Sequence, residues 1–177
     1  MKRSVLIVSV AAVFAACAGN LTPQERAVEE EAVRARLQAW DKAMNNRGLD
    51  SLTAIYDHSS GTSVAWAGGR RARGWDQVQA SMKDFFGSIS YMNFGVQDPV
   101  IDIISPTVAV TTFHHSTDVI TSGIRQPVTN GEATLVWLKD PSEQRVDQRW
   151  KLHTVQVSVA PAAAPAAGPT APATRRR

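Results

Sequence analysis

The sequence predicts an α+β domain in which a curved antiparallel sheet wraps around a long N-terminal helix to form a cone. Three observations support this prediction. A long helical pattern of apolar residues follows a short apolar leader. Two shorter helical patterns come next, with one short strand between them. The rest of the chain is a series of strand-like segments separated by turns, and helices that precede antiparallel strands are typical of α+β domains.

The first helix is predicted to begin at Thr22, because Thr22-Pro23-Gln24-Glu25 combines a capping box with proline at the first helical position. Gly48 suits the left-handed position that ends a helix. The apolar residues between these points recur at spacings of four, three and four and therefore share one helix face: Val33, Leu37, Trp40 and Met44.

The second helix is predicted to begin at Asp50 and to carry Leu52, Ile55 and Tyr56. The third is predicted between Gly74 and Gly87, with Val78, Met82 and Phe85 buried. Strands are expected at 62–66, 88–97, 100–104, 108–117, 131–139 and 149–158, separated by turn sequences such as Asp98-Pro99, Ser105-Pro106 and Ser122-Gly123.

The last two strands form the strongest predicted hairpin, and its first strand is apolar on both faces. Ala133, Leu135 and Trp137 alternate on one face, whereas Val136 and Leu138 lie on the other. A strand that is covered on one side only should show polar residues at every second position. We therefore expect one face to contact the helices and the other, the convex face of the sheet, to contact a second copy of the chain in a homodimer.

The length and charge of the chain bound its organisation. A chain of 177 residues allows one ordinary domain. We divide it into a signal segment (1–17), a short linker (18–23), the domain (24–159) and an Ala- and Pro-rich tail (160–177) that is expected to be disordered. Lys2, Arg3 and residues 175–177 carry five of the 19 basic residues, which leaves 14 against 16 acidic residues. A near-neutral domain disfavours nucleic-acid binding.

The leader has the shape of a secretory signal, because Lys2 and Arg3 precede an apolar run over 5–16 that is too short to span a bilayer. Cys17 is the only cysteine, so no intrachain disulfide is possible. The junction Phe14-Ala15-Ala16-Cys17 resembles the lipobox of bacterial lipoproteins, which usually has Leu at the position of Phe14. That resemblance implies lipid on Cys17 and an exported protein held at a membrane of the cell envelope or periplasm. Cleavage after Ala18 would instead give a soluble exported protein.

Several short segments carry a second resemblance, which extends over 25–159. They are Trp40-Asp41-Lys42-Ala43, Gly48-Leu49-Asp50-Ser51-Leu52, Ile55-Tyr56-Asp57, Val64-Ala65-Trp66, Arg73-Gly74-Trp75-Asp76, Thr134-Leu135-Val136-Trp137-Leu138-Lys139, Trp150-Lys151-Leu152 and Gln156-Val157-Ser158. Together they resemble the SnoaL-like branch of the nuclear-transport-factor-2-like superfamily. The resemblance implies a cystatin-like cone and a cavity lined from the first helix, the first strand and the last hairpin. The implied pocket residues are Trp40, Tyr56, Trp66, Phe86, Trp137 and Gln156.

The sequence departs from that family at positions that carry chemistry. Glu132 stands where the family often has Arg, and Gln156 stands where many members have His. Relatives such as ketosteroid isomerase place an Asp base near the end of the first strand, where this chain reads Trp66-Ala67-Gly68. Proton-transfer chemistry of that type needs a carboxylate in an apolar pocket, so these departures weaken an enzymatic interpretation.

The remaining candidates for acid-base chemistry are His115, Asp57 and Tyr56. His114 and His115 are adjacent on one strand and point to opposite faces, so they cannot hold one metal ion together. A lone histidine is more often satisfied by local hydrogen bonds than used as a base. We expect no metal site and no cofactor.

Three functions stay open at this point. The first is a lipid-anchored domain that binds a small hydrophobic molecule or a peptide without catalysis. The second is an acid-base enzyme of the same fold, such as an isomerase, cyclase or dehydratase. The third is a structural envelope dimer that uses the convex sheet face.

Overall fold

The computed structural model describes residues 21–67 and 69–160, so Cys17, the rest of the leader and residues 161–177 of the Ala- and Pro-rich tail lie outside the described residues. The helices are α1 (Pro23–Asn45), α2 (Leu49–Thr53), α3 (Trp75–Ser88) and a short 3-10 turn (Val146–Gln148). The strands are β1 (Ser63–Ala65), β2 (Arg71–Arg73), β3 (Ile89–Ser105), β4 (Val108–Thr121), β5 (Ile124–Arg125), β6 (Thr129–Lys139) and β7 (Trp150–Val157).

The strands form a single sheet with the order β2-β1-β7-β6-β4-β3, and β5 pairs with β4 off this path. The predicted hairpin is confirmed as β6 and β7, which pair antiparallel with a register shift between Val136 and Trp137. One pair departs from the antiparallel prediction, since β1 runs parallel to β7. β1 follows α2 and is not joined to β7 by a hairpin turn. It can therefore run parallel to β7, whereas strands joined by a tight turn must be antiparallel.

The start of α1 is as predicted. The Thr22 hydroxyl accepts a hydrogen bond from the Glu25 backbone N–H, and the Glu25 carboxylate accepts one from the Thr22 backbone N–H. The predicted helix face is buried: Val33, Leu37, Trp40 and Met44 are each at most 3% exposed. Burial of this face against the sheet, rather than intrinsic helix propensity, therefore stabilises the helix.

The end of α1 differs from the prediction. Arg47, with φ of 53°, occupies the left-handed position that was assigned to Gly48. Gly48, with φ of −83°, is instead the N-cap of α2, in place of Asp50. Arg47 keeps this conformation while its guanidinium donates to the Ile89 carbonyl (2.9 Å), so a tertiary hydrogen bond accompanies the strained backbone.

The two strands predicted at 88–97 and 100–104 are one strand, β3, that continues through Asp98-Pro99. Its pairing with β4 shifts register between Gln97 and Val100, and Asp98 has φ of 50°. Proline is accommodated because β3 is an edge strand, where a missing N–H leaves no ladder bond unmade. The turn signal therefore marks a bulge within a strand.

Four large aromatic side chains fill the interior between α1 and the sheet. Trp40, Tyr56, Trp137 and Trp150 are all 2% exposed or less. The Trp40 ring meets Phe94 edge-on at 5.5 Å, and the Trp137 indole donates to the buried hydroxyl of Thr111 (3.0 Å). This part of the domain is a packed core.

Buried polar groups connect the helices to the hairpin. The Arg36 guanidinium donates to the carbonyls of Trp150 (3.0 Å) and Ala54 (3.1 Å), and its burial lowers the pKa of the group. The Glu29 carboxylate accepts from the Trp150 indole (2.9 Å) and pairs with Lys139. These contacts hold α1 against the start of β7 and the end of β6.

Among the helices of the described residues, none combines the length and the apolar character that crossing a bilayer requires.

Candidate functional site

A cavity of about 540 Å³ opens beside the packed core, and its volume lies within the range of small-molecule sites. It is bounded by the end of α1, the turn between β1 and β2, one face of α3, and the inner face of the sheet from β3 to β7. The lining residues are Met44, Trp66, Ala67, Arg70, Ser81, Phe85, Ser88, Met92, Phe94, His115, Thr117, Val119, Thr121, Gln126, Thr129 and Val157.

The aromatic part of the wall consists of two stacked pairs. Trp66 and Phe85 stack with ring centroids 6.2 Å apart, and Phe94 and His115 stack at 5.3 Å with their planes within 10°. The Trp66 indole Nε1 is buried and has no hydrogen-bond partner among the described residues. A buried donor without an acceptor costs about 1–3 kcal/mol, so this wall holds a polar group that its protein neighbours leave unsatisfied.

Of the six predicted pocket residues, the structure places one, Trp66, on the cavity. Trp40, Tyr56 and Trp137 are buried in the packed core instead, because large rings between α1 and the sheet leave no room for a void there. Phe86 lies in a separate surface depression beside Leu49 and Lys83, since a rotation of about 100° per residue turns it away from Phe85.

Gln156 is exposed on the outer face of β7, where it lines a shallow groove with Arg71 and Arg73. Its neighbours Val155 and Val157 are buried, and the alternation of a strand therefore directs Gln156 outward. The prediction carried the family's position over to this chain, but the inward-facing residue at the cavity is Val157.

His115 is the predicted catalytic candidate that does line the cavity, and it is 2% exposed. Its Nε2 lies 2.8 Å from the Ser158 carbonyl oxygen, and its Nδ1 lies 3.2 Å from the Thr117 hydroxyl. A carbonyl can only accept, so Nε2 carries the proton, and Thr117 donates to Nδ1 when the ring is neutral. Both ring nitrogens therefore have partners within the protein.

Asp57 lies away from the cavity, in a polar cluster where α2 meets β7. Its Oδ2 accepts hydrogen bonds from the Ser59 hydroxyl (2.6 Å) and from His153 Nδ1 (2.8 Å). Burial acts to raise the pKa of Asp57, but the hydrogen bonds from Ser59, His153 and Thr62 outweigh it and lower the pKa. The Asp57 carboxylate is thus ionised and serves to join the loop that follows α2 to β7.

Tyr56 is also absent from the lining of the cavity. It is fully enclosed in the core, where its hydroxyl accepts a hydrogen bond from the Trp40 indole (3.4 Å). Burial raises the pKa of the Tyr56 hydroxyl well above its usual range, so the group stays a neutral phenol.

Sequence reasoning missed most of the polar residues on the cavity, among them Arg70, Thr117, Gln126 and Thr129. Thr117 could have been found, because it follows His115 by two residues on β4 and so shares its face. Arg70 and Gln126 lie outside regular strands, where no periodicity predicts orientation. Among residues 21–67 and 69–160, no group of three or more His, Cys, Asp or Glu side chains is arranged to hold a metal ion.

The chain matches no protein-family model, and no curated protein matches it in sequence. Solved structures do match. A nuclear transport factor 2-like superfamily protein from Salmonella enterica serovar Typhimurium aligns with a TM-score of 0.65 at 19% identity, over 80% of this chain and 97% of that chain. A protein with a cystatin-like fold from Caulobacter vibrioides aligns with a TM-score of 0.63 at 18% identity, over 75% and 89% of the two chains.

A third neighbour, from Streptomyces avermitilis, is provisionally described as a dehydratase of the nuclear transport factor 2-like family. It aligns with a TM-score of 0.66 at 19% identity, over 80% of this chain and all of the other. At this level of identity the three likenesses establish the fold and no shared activity. The chain has the nuclear transport factor 2-like, or cystatin-like, α+β fold, as the sequence predicted.

Proposed function

We propose that this protein binds a small, mainly apolar organic molecule in the cavity between α3 and the sheet. The cavity itself carries the proposal. Eight of its 16 lining residues are apolar, and two pairs of stacked rings form part of its wall. A cavity of about 540 Å³ with apolar walls and a few polar groups is the usual form of a small-molecule site.

Binding without catalysis is favoured by the state of the three catalytic candidates. Asp57 and Tyr56 are not among the lining residues, and His115 has both ring nitrogens engaged by Thr117 and Ser158. A general base needs a free nitrogen within reach of the substrate proton. His115 would have to give up one of two hydrogen bonds to act as one.

The alternative is an acid-base enzyme in which His115 Nδ1 gives up its hydrogen bond with the Thr117 hydroxyl and accepts a proton from the substrate. The description of the Streptomyces avermitilis neighbour as a dehydratase motivates this alternative. It predicts that His115→Gln abolishes turnover while ligand affinity is kept, since glutamine can still donate to the Ser158 carbonyl. Loss of affinity together with stability would instead assign His115 a structural role.

The binding proposal is tested by fluorescence titration with naphthylethanol, a neutral aromatic probe. Val119→Trp fills the cavity and is expected to weaken binding at least about tenfold, because the added ring occupies the probe's volume. Ile120→Trp is the matched control, since the next residue of β4 points away from the cavity. Equal affinities of the two variants, or no binding to the unaltered chain, would contradict the proposal.

We also propose that the protein is exported and anchored to a membrane through lipid on Cys17. The lipobox-like Phe14-Ala15-Ala16-Cys17 supports this, and the short apolar run before it supports export. The intact mass of protein purified from its own host is expected to exceed that of the processed chain by its acyl groups. A Cys17→Ala variant should lack this added mass, and an unlipidated mature chain would contradict the anchor.

A homodimer through the outer face of the sheet is the remaining proposal. Val100 and Ile104 on that face are 56% and 63% exposed. Val110, Val136 and Leu138 are half-buried beside them. Exposed and half-buried apolar side chains that share one face of a sheet are typical of an interface, and here they surround one charged residue, Asp102.

A further inference from the structure

The lining of the cavity is mainly apolar in its buried part and more polar in its exposed part. Its most buried residues are Met44, Met92, Phe94, His115 and Val157, each at most 8% exposed. The half-buried and exposed residues include all of the other polar ones: Arg70, Ser81, Ser88, Thr117, Thr121, Gln126 and Thr129. An occupant that matches this gradient has an apolar body and a polar end at the mouth.

The charge at the mouth has one sign. Within the part of the chain that the structure describes, Arg70 is the only lining residue with a permanent charge, and no Asp or Glu contributes to the lining. Among the ion pairs formed within residues 21–67 and 69–160, none involves Arg70. The guanidinium therefore presents its donors without a carboxylate partner from the described chain.

The backbone that carries Arg70 is held in place by the turn between β1 and β2. The Trp66 N–H donates to the Arg70 carbonyl (2.9 Å), and Ala65 pairs with Arg71 directly beyond it. Trp66 thereby joins the aromatic wall of the cavity to the residue at its mouth. Arg71, the next residue, lines the groove on the other side of the sheet.

Carboxylates on the strands next to the cavity are directed elsewhere. Asp118, between the lining residues Thr117 and Val119 of β4, pairs with the Arg125 guanidinium. Glu132 lies on the outer face of β6, 3.9 Å from His114. Neither carboxylate lines the cavity, so neither balances the charge of Arg70 within it.

From this arrangement we infer that the molecule bound in the cavity carries a carboxylate on its apolar body, and that Arg70 binds this carboxylate. Guanidinium and carboxylate form paired hydrogen bonds between two planar groups, which fixes orientation as well as charge. The inference rests on the proposed function, and it adds the ligand class and the residue that selects it.

The test compares two probes that differ only in their polar end, naphthylacetate and naphthylethanol, by fluorescence titration against the full chain. We expect naphthylacetate to bind about threefold to tenfold more tightly, with a preference that declines as salt is added. Arg70→Gln is expected to remove the preference, because it should weaken naphthylacetate binding several-fold more than naphthylethanol binding. Arg71→Gln, the matched control, should keep the preference, and Arg70→Lys should keep part of it.

The outcomes distinguish a failure of the carboxylate inference from a failure of the proposed binding function. If both probes bind equally, or if the preference survives Arg70→Gln, the carboxylate inference is overturned while the binding function stands. If neither probe binds, or if Val119→Trp leaves binding intact, the binding function fails and the inference fails with it. Thermal unfolding of the Arg70 and Arg71 variants is measured in parallel. Their unfolding midpoints are expected to be unchanged, because both residues are exposed.

Discussion

Gly131 marks a close approach between β6 and the chain that follows β7. A Cβ atom at Gly131 would lie 1.9 Å from the Ser158 carbonyl oxygen and 3.0 Å from His115 Nε2. Any side chain there must therefore displace Ser158 from His115. We expect Gly131→Ala to lower the free energy of unfolding by about 1–3 kcal/mol, as measured by denaturant titration.

Gly87 provides the control for this prediction. A Cβ atom at Gly87 meets nothing within 4 Å, and the residue lies in the last turn of α3. Gly87→Ala is expected to be neutral or to stabilise the protein by up to about 1 kcal/mol, because alanine favours the helix. Equal effects of the two alanines would show that Ser158 moves without cost and would contradict the tight contact.

The carboxylate of Asp57 gives a prediction about pH. Its pKa in the folded protein is lowered from 3.8 by hydrogen bonds from Ser59, His153 and Thr62. The folded state therefore binds the proton less readily than the unfolded state, and the stabilisation is present above pH 3.8 and lost as the pH falls through the folded-state pKa.

Asp57→Asn should accordingly destabilise the protein at neutral pH, by about 1–2 kcal/mol. The difference from the unaltered chain should shrink as the pH falls below about 4. The measurement is urea unfolding of both chains at several pH values. A difference that stays constant down to the acid transition would mean that the ionised form of Asp57 makes no special contribution.

At the scale of elements, Asn45 joins the end of α1 to the middle of β3. Its side-chain Nδ2 donates to the Phe94 carbonyl (2.9 Å), and its side-chain Oδ1 accepts from the Phe94 N–H (2.7 Å). Asn45 thus pairs with both backbone groups of Phe94, as a neighbouring strand would. Since Met44 and Phe94 both line the cavity, this connection also sets the distance between two of its walls.

Asn45→Ala should lower the free energy of unfolding by about 2–3 kcal/mol, because it leaves two backbone groups of Phe94 unpaired. We also expect weaker binding of naphthylethanol, since the α1 and β3 walls are no longer held together. Asn46→Ala is the control, because Asn46 is exposed and makes no side-chain hydrogen bond within the described residues. A stable Asn45→Ala variant with unchanged affinity for naphthylethanol would contradict the proposed connection between α1 and β3 through Asn45.

Most elements were predictable because their signals are local. The capping box at Thr22 and the run of Thr, Leu, Val and Trp in β6 each depend on a few neighbouring residues. The predictions of elements that failed also relied on local signals, but in those places contacts between distant parts of the chain decided the structure. Asp98-Pro99 reads as a turn, yet pairing with β4 keeps the chain extended through a bulge. β2 is three residues long and pairs only with β1. A strand this short shows no periodic pattern of apolar residues in the sequence.

The cavity was less predictable than the fold for a related reason. Trp40 and Trp137 are large aromatic residues on the expected faces, and nothing in the sequence says whether such rings line a void or fill it. That outcome depends on how closely α1 and the sheet approach each other. Gln156 is different, because the alternation between Val155 and Val157 already predicts an outward side chain.

At the scale of the whole molecule, the outer sheet face tests the proposed homodimer. We expect a mass near twice that of the monomer at micromolar concentration, by sedimentation or light scattering. Val100→Lys should shift the protein toward monomer, because a charge on this face must be desolvated on association. Val128→Lys is the matched control: both valines are 56% exposed, but Val128 lies in the loop before β6. A monomeric unaltered chain would contradict the dimer.

The central claim is that the cavity beside α3 is the site of ligand binding, and the methionines of the chain test it most directly. Met44 and Met92 line the cavity, whereas Met82 is buried in the core outside it and Met1 lies outside the described residues. With methyl-labelled methionine, titration with naphthylethanol should shift the Met44 and Met92 resonances through the ring current of the probe and leave Met82 unchanged. Shifts at Met82 alone, or none at Met44 and Met92 on saturation, would contradict the account.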